Sequence, residues 1–313
     1  MPDVDIVLTD RFPVLSLTLV TEPLRVANRE SAEQVWRWRL LSAEGGPKVS
    51  SSGIPIDTQE LDETPADIVL LLASYQPETA LAKPLLTWLK RRARSGTLLG
   101  CVDSAALIFA KAGLLSGSPA AVHFEALSSY RALFHEEIFV DRLFSVTERR
   151  CSSAGGVATM DMTLGLIERF SGAALAARVA EVLTYRPTQH SGPQQKLLIG
   201  TAIKRLDRTL ARALDLMIAT LDQPLPIGAL AERVGVPVWT LTRLFKHHLK
   251  ETPAAYYRQL RLMEARNLLR NSSLRVSEIA GLCGFDNPES FARAYRRQFG
   301  MTASQDRENP LSG

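Results

Sequence analysis

The stretch TLLGCVDSAALIFAKAGLLSG, Thr97 to Gly117, decides how the first half of the chain folds. It opens as a short apolar run, turns at Asp103-Ser104, and continues as an alanine-rich segment stopped by glycine. A continuous apolar run of this length is what a central parallel strand shows, because both of its faces are covered. The stretch therefore reads as buried strand, sharp junction and short helix. Such junctions carry the nucleophile in many α/β enzymes. Two candidates stand within three residues of each other, Cys101 and Asp103.

The same rhythm extends outward from this point. Val4–Leu8 reads as a strand, and Pro13–Arg29 as a helix with proline at its start. Trp36–Ala43 alternates like a strand and is followed by the turn-rich EGGPKVSSSG; Ala66–Ser74 is a second continuous apolar run. Between it and Thr97, TALAKPLLTWLKRRARSG is helical and stops at Gly96. Further on, LFSVT is strand-like, and AGGVATMDMTLGLIERFSG starts a helix after a glycine pair. Alternating strands and helices predict an α/β domain over residues 1–185, a mostly parallel sheet flanked by helices. The Pro-, Gly- and Gln-rich RPTQHSGPQQK marks a linker, placed at 186–200. Helical periods alone fill 201–313, with room for roughly seven short helices.

Bulk properties agree with two domains in 313 residues. No apolar run approaches the ~20 residues of a membrane span. The start MPDVDIVLTD lacks the features of a signal peptide, which predicts a cytoplasmic protein. Cys101, Cys151 and Cys283 have neither paired nor metal-ligand spacing, so no disulfide framework, metal site or cofactor is expected. Charge is uneven: from Lys196 onward 18 Lys and Arg oppose 11 Asp and Glu, whereas the residues before it hold 19 against 22. A basic C-terminal half suits a polyanionic partner.

That half repeats itself. LAERVGV (Leu230–Val236) matches IAGLCGF (Ile279–Phe285), and LTRLFKHHLKET (Leu241–Thr252) matches FARAYRRQFGMT (Phe291–Thr302). Each copy is a short helix, a glycine turn and a longer helix, the pattern of a helix-turn-helix. Leu241, Leu244, Phe245, His248 and Leu249 fall on the core face of the first long helix; Phe291, Ala294, Tyr295 and Phe299 do so in the second. The outward candidates are Trp239, Thr240, Thr242, Arg243 and Lys246, then Glu289, Ser290, Arg293, Arg296 and Arg297. Arg reads guanine edges in a major groove, and Lys or Arg neutralises phosphates.

The segment Arg261–Thr302 resembles the AraC/XylS-type DNA-binding domain, through Arg261, Leu262, Ala265, Ile279, Ala280, Gly284, Phe285, Phe291, Tyr295 and Phe299 among others. This resemblance implies two helix-turn-helix units joined by a long helix around Ala254–Leu269, each reading one of two successive major grooves of double-stranded DNA. The family usually ends in Thr-Pro, where this chain has Thr302-Ala303. The N-terminal half is similar to the PfpI-type, class I glutamine amidotransferase-like sensor domain of GlxA-type regulators, a flavodoxin-like fold. The stretches that carry the likeness are EPLRVANR, WRLLSAEGGPKVSSSG, AKAGLLSG, AVHFEAL and SAGGVATMDM. The resemblance implies a homodimeric regulator, an activator working with RNA polymerase, and a small-molecule effector.

Enzymes of that fold place Cys at the strand–helix elbow, with a His and a Glu nearby. The matching positions are Asp103, His123 and Glu22, and Ser104, Gly155 and Gly156 line the same expected pocket. A carboxylate is a poor nucleophile toward amides, and Cys101 falls two residues deeper in the strand, so catalysis is not expected. Two readings of Asp103 stay open: a helix cap, or a ligand contact in the cleft beyond the strand ends. Two acids beside one imidazole would favour a cationic or zwitterionic nitrogen metabolite such as an amino acid, guanidino compound or quaternary amine, which regulators resembling this one sense. The amides of Ala154 to Val157 are then available to a carboxylate. His123 is either a polar contact or pocket wall. The rival functions are a hydrolase or isomerase carrying a DNA-binding module, and a purely structural dimerisation domain.

Overall fold

The apolar runs that open this reading form the centre of a sheet. The computed structural model describes residues 1–187 apart from 75, 76, 78–80, 82 and 116, and residues 207–308 apart from 273. The chain falls into two compact units, Met1–Gln195 and Lys196–Gly313. Of the expected linker at 186–200, residues 188–200 lie outside the described residues.

Strands β1 (Asp3–Leu8), β2 (Arg37–Ser42), β3 (Gly46–Val49), β4 (Pro55–Glu60), β5 (Ile68–Ala73) and β6 (Leu98–Asp103) precede two short ones, β7 (Ala120–Ala121) and β8 (Phe139–Val140). Then come β9 (Phe144–Val146) and β10 (Arg150–Ser153). Eight of them form one sheet in the order β3-β4-β2-β1-β5-β6-β10-β9, parallel except for its two edge pairs. β7 and β8 pair separately. Among the described residues six helices cover the sheet: α1 (Val14–Ser31), α2 (Lys83–Arg94), α3 (Ala105–Lys111), α4 (Phe124–Leu133), α5 (Ala158–Ser171) and α6 (Ala173–Val182).

Period-two alternation in the central strands divides the core. Ile68, Leu70 and Leu72 pack with α1, α5 and α6 on one face. Val69, Leu71 and Ala73 pack with α2, α3 and α4 on the other. All six are fully buried, and truncating any of the leucines to alanine would cost ~2–5 kcal/mol. Cys101 shares the α3 face with Leu99, whereas Val102 faces α5.

β3 lies in the stretch read as turn-rich, and β4 in a polar run to which the sequence reading assigned no element. β3 is the edge strand and β4 lies between it and β2; the two run antiparallel to one another and hold only one buried residue between them, Thr58. Their pairing comes from the backbone ladder, with Thr58 bonded to Ser42 Oγ at 2.6 Å, rather than from an apolar pattern. β10, with only four residues, was equally hidden in the sequence.

The second unit is helical, with seven helices among the described residues: α7 (Arg208–Ala219), α8 (Ile227–Val234), α9 (Val238–Leu249), α10 (Pro253–Asn271), α11 (Val276–Leu282), α12 (Pro288–Phe299) and α13 (Ala303–Glu308). Capping side chains start several of them. Asp207, Thr252 and Asn287 accept backbone N–H groups at 2.9, 3.3 and 2.7 Å, and Pro253 and Pro288 take the first helical positions. Two separate cores result. The first joins α7, α8 and α9 with Tyr257 of α10. The second joins α11 and α12 with Leu262, Ala265, Leu268 and Leu269, which also belong to α10. Asp306, fully buried on α13, closes the second core by accepting from Arg266 Nε at 2.6 Å and Tyr295 Oη at 2.7 Å. Among the described residues no helix is long and apolar enough to cross a membrane.

Candidate ligand pocket and nucleic-acid interface

β6 ends on Asp103 with φ at 59°, in the left-handed region. That conformation costs an L-residue roughly 1–2 kcal/mol, and aspartate is among the side chains that tolerate it best. It turns the chain sharply, so that Ser104 N bonds Ala73 O at 3.0 Å and α3 starts at the next residue. Ser104 is buried and its hydroxyl donates weakly, at 3.4 Å, to Asp103 Oδ1. The cap of α3 is Ser104, with no side-chain bond closing it, so Asp103 is not at the cap position.

The carboxylate side chain lies against the turn before α5. A Cβ placed on Gly155 would come within 2.8 Å of Asp103 Cβ, 2.9 Å of Cγ and 3.1 Å of Oδ2. Gly155 itself has φ at 88°, and its N–H is taken by Ser153 Oγ at 3.1 Å. Gly156 follows, also with positive φ, and Val157, more than half exposed, begins α5 without a side-chain cap. Ala154 N is likewise bonded, to Leu143 O at 2.8 Å, and Thr159 N and Met160 N bond Gly156 O and Val157 O at 3.1 and 3.0 Å. Of the amides expected to meet a carboxylate, those of Gly156 and Val157 are therefore the candidates at the positive end of the α5 dipole. Asp103, Ser104, Gly155 and Gly156 thus gather around one point.

Glu22 does not add a second carboxylate to this cluster. Its carboxylate is held by Arg25 through Nε at 3.0 Å and Nη2 at 2.8 Å. The arginine pair, through hydrogen bonding first, lowers the Glu22 pKa, and half of the side chain is exposed. The buried face of α1 runs through Leu17, Val20, Leu24 and Ala27, and Glu22 projects from the opposite side. The helical wheel of the sequence already held that information. His123 is half-buried, with its ring centroid 4.5 Å from that of Phe124, which fits a wall of aromatic surface.

Cys101 is 1% exposed, and burial pushes its thiol up to about 12. Such a thiol is almost wholly protonated at neutral pH, which disfavours nucleophilic attack by it. Sequence reasoning overlooked a polar contact farther along α5. Asp161, buried in its first turn, accepts from Tyr185 Oη at 3.0 Å.

In the second unit, the outward faces of α9 and α12 carry the predicted side chains. Trp239 is 64% exposed, and the Arg243 guanidinium sits over its ring at 5.2 Å. Lys246 is exposed; Thr240 and Thr242 are half-buried, and Thr242 Oγ1 returns to Val238 O at 2.8 Å. On α12, Glu289, Arg293, Arg296 and Arg297 are exposed, while the Ser290 hydroxyl bonds Asn287 O at 2.7 Å. The opposite faces anchor in the two cores through Leu241 and Phe245, and through Phe291 and Tyr295. Each helix therefore presents a basic outer face on a fixed support, as base-edge and phosphate contacts need.

Two residues of α10 that the sequence did not single out for a role hold the turns of both units. Tyr257 Oη lies 2.8 Å from Thr220 O and accepts from Leu225 N at 3.3 Å. One helical turn later, Arg261 donates to Cys283 O at 2.7 Å and Gly284 O at 2.5 Å, its guanidinium 4.1 Å from the Phe285 ring centroid. Polar residues four apart on an otherwise buried helix face are the signal that would have marked them.

Comparison with known proteins agrees with this architecture. A helix-turn-helix domain model matches residues 230–309. The HTH-type transcriptional regulator CdhR of Pseudomonas aeruginosa is 36% identical over 298 residues, 95% of this chain and 88% of that protein. An AraC family transcriptional regulator from Pseudomonas putida superposes with a TM-score of 0.54 at 26% identity, over 58% of this chain and all of the other. A DJ-1 superfamily protein from Salmonella typhimurium, 22% identical, gives 0.52 over 59% of this chain and all of its own length, which establishes the shared sheet architecture. With a DJ-1/PfpI-like sheet unit and paired helix-turn-helix motifs, the chain belongs to the AraC family of HTH-type transcriptional regulators.

Proposed function

We propose that the chain is an effector-dependent transcriptional activator whose N-terminal unit binds a small zwitterionic nitrogen metabolite without transforming it. The observation that carries this reading is the elbow, where Asp103 stands against the Gly155–Gly156 turn at the start of α5. A carboxylate next to a helix N-terminus offers opposite charges a short distance apart. An ammonium, guanidinium or quaternary amine would face Asp103, and the ligand's carboxylate would face the first amides of α5. With Glu22 paired to Arg25, the carboxylate offered to the cationic end is that of Asp103. The absence of turnover is supported by the carboxylate at the elbow and the buried thiol of Cys101.

The same reading places the protein in the cytoplasm as a homodimer joined through the N-terminal unit and engaging RNA polymerase on DNA. Apolar side chains exposed on that unit, Leu15 and Val157 among them, support self-association. Titration of the full chain by calorimetry with arginine, glycine betaine and carnitine, beside acetate and succinate, tests the pocket. Binding of a zwitterion that Asp103→Ala weakens tenfold or more supports it. Binding confined to the anions, or indifference to Asp103→Ala, overturns it.

A further inference from the structure

The two glycines at equivalent turns of the repeat do different work. Gly235 and Gly284 both end the first helix of a helix-turn-helix with positive φ, 77° and 69°. At Gly235 an added Cβ would meet nothing within 4 Å. At Gly284 it would lie 2.6 Å from Pro224 Cδ, 2.8 Å from Leu221 O and 2.9 Å from Asp222 O. The turn of the second motif is thus seated, backbone on backbone, on the loop that leads into the first motif.

α10 secures both sides of that seat. Tyr257 holds the loop at Thr220 and Leu225, and Arg261 holds the turn at Cys283 and Gly284. Two carbonyl oxygens and a closed proline ring face the open side of Gly284, and none of them can rotate aside as a flexible side chain would. We propose that Gly284 is a positioning residue for DNA recognition: its close approach to Leu221–Pro224 sets the separation of α9 and α12, and so the spacing of the two base elements read on one DNA duplex. Gly284 touches no base. It acts through the helices that do. The inference rests on the DNA-reading role of those two helices.

The repeat supplies its own control. Gly235→Ala introduces the left-handed strain without a collision, whereas Gly284→Ala introduces both. The full-length chain is used to enrich duplexes from a library in which two randomised blocks are separated by spacers of varied length. Wild type and Gly235→Ala are expected to enrich the same single spacing, and Gly284→Ala to enrich a shifted or broadened set while keeping the same bases within each block. A merely structural role would lower affinity without moving the spacing. Should Gly284→Ala fail to fold, Arg261→Met, which removes both donors to the turn while keeping the apolar stem, is expected to broaden the spacing as well. An unchanged single spacing in the folded Gly284→Ala chain, or in Arg261→Met if the former is unfolded, overturns the proposal. Broadening in Gly235→Ala equal to that in Gly284→Ala also overturns it. Failure of wild type to enrich any sequence would overturn the DNA-reading role as well.

Discussion

Asp103 occupies the space that a side chain at position 155 would need: its Cγ lies 2.9 Å from where the Cβ of that residue would stand. Gly155→Ala therefore meets two obstacles, a φ of 88° and the carboxylate itself. We expect the N-terminal unit to lose about 2–4 kcal/mol in chemical denaturation. Part of that loss should return in Gly155→Ala combined with Asp103→Gly, which takes Cβ, Cγ and Oδ2 out of the new side chain's path and leaves only the backbone strain at position 155. Strict additivity of the two substitutions would show that the contact carries no energy.

The buried thiols make a prediction about alkaline pH. Cys101 and Cys283 are both raised by burial from an ordinary 9.0 to about 12. Between these values the folded chain keeps protons that the unfolded chain has released. Stability must therefore fall as pH rises through this window, by about 1.4 kcal/mol per pH unit for each thiol, and be unaffected by them below it. Cys101→Ala should flatten the slope for the N-terminal unit, read from urea unfolding at pH 8, 9 and 10. An unaltered slope would contradict the assignment. At neutral pH, alkylation of Cys101 should proceed only as fast as the unit opens.

Asp306 accepts from both Arg266 and Tyr295 inside the second core, at 2.6 and 2.7 Å. Asp306→Ala removes the acceptor and leaves two donors facing it. A cost of about 1.5–3 kcal/mol is expected in urea unfolding. Tyr295→Phe, which removes one donor and leaves the ion pair with Arg266, should cost less. DNA affinity should fall together with stability, since α12 loses the support beneath its exposed face.

Arg293 and Arg297, both exposed on α12, need not share one role. Arg293→Ala should cost ~1–3 kcal/mol at the enriched site and relax the base preference at one position. A phosphate-contacting arginine would instead weaken all sequences alike and reduce the salt slope by about 0.9. Affinity measured at three salt concentrations, on enriched and scrambled duplexes, separates the two for each residue.

Legibility followed the physical origin of each feature. β5 and β6 are visible because both of their faces are buried, so every position is apolar, apart from the Asp at the end of β6. β3 and β4, at one end of the sheet, escape notice because backbone bonds hold them, and PIDTQE carries only one buried residue. The helix-turn-helix units are legible twice over, from helical spacing and from repetition. Asp103 could be placed at the elbow by likeness, but its left-handed backbone and its contact with Gly155 are tertiary facts with no local signature. Glu22 is the opposite case, since the apolar positions Leu17, Val20, Leu24 and Ala27 already assign it to the outer side of its helix. The distinction between Gly235 and Gly284 is absent from the sequence altogether; both look like turn glycines, and only the neighbouring loop separates them.

The repeat suggests two interchangeable modules, yet α10 belongs to neither. Tyr257, in its first half, is a member of one core, while Leu262, Ala265, Leu268 and Leu269 are members of the other. A cut that gave this helix to one motif would strip the second of its largest apolar surface or leave the first without the residue that ties down its loop. The repeated halves of the DNA-reading unit therefore cannot be exchanged, shortened or expressed singly as minimal binders. Any dissection of the protein has to keep both cores together with α10.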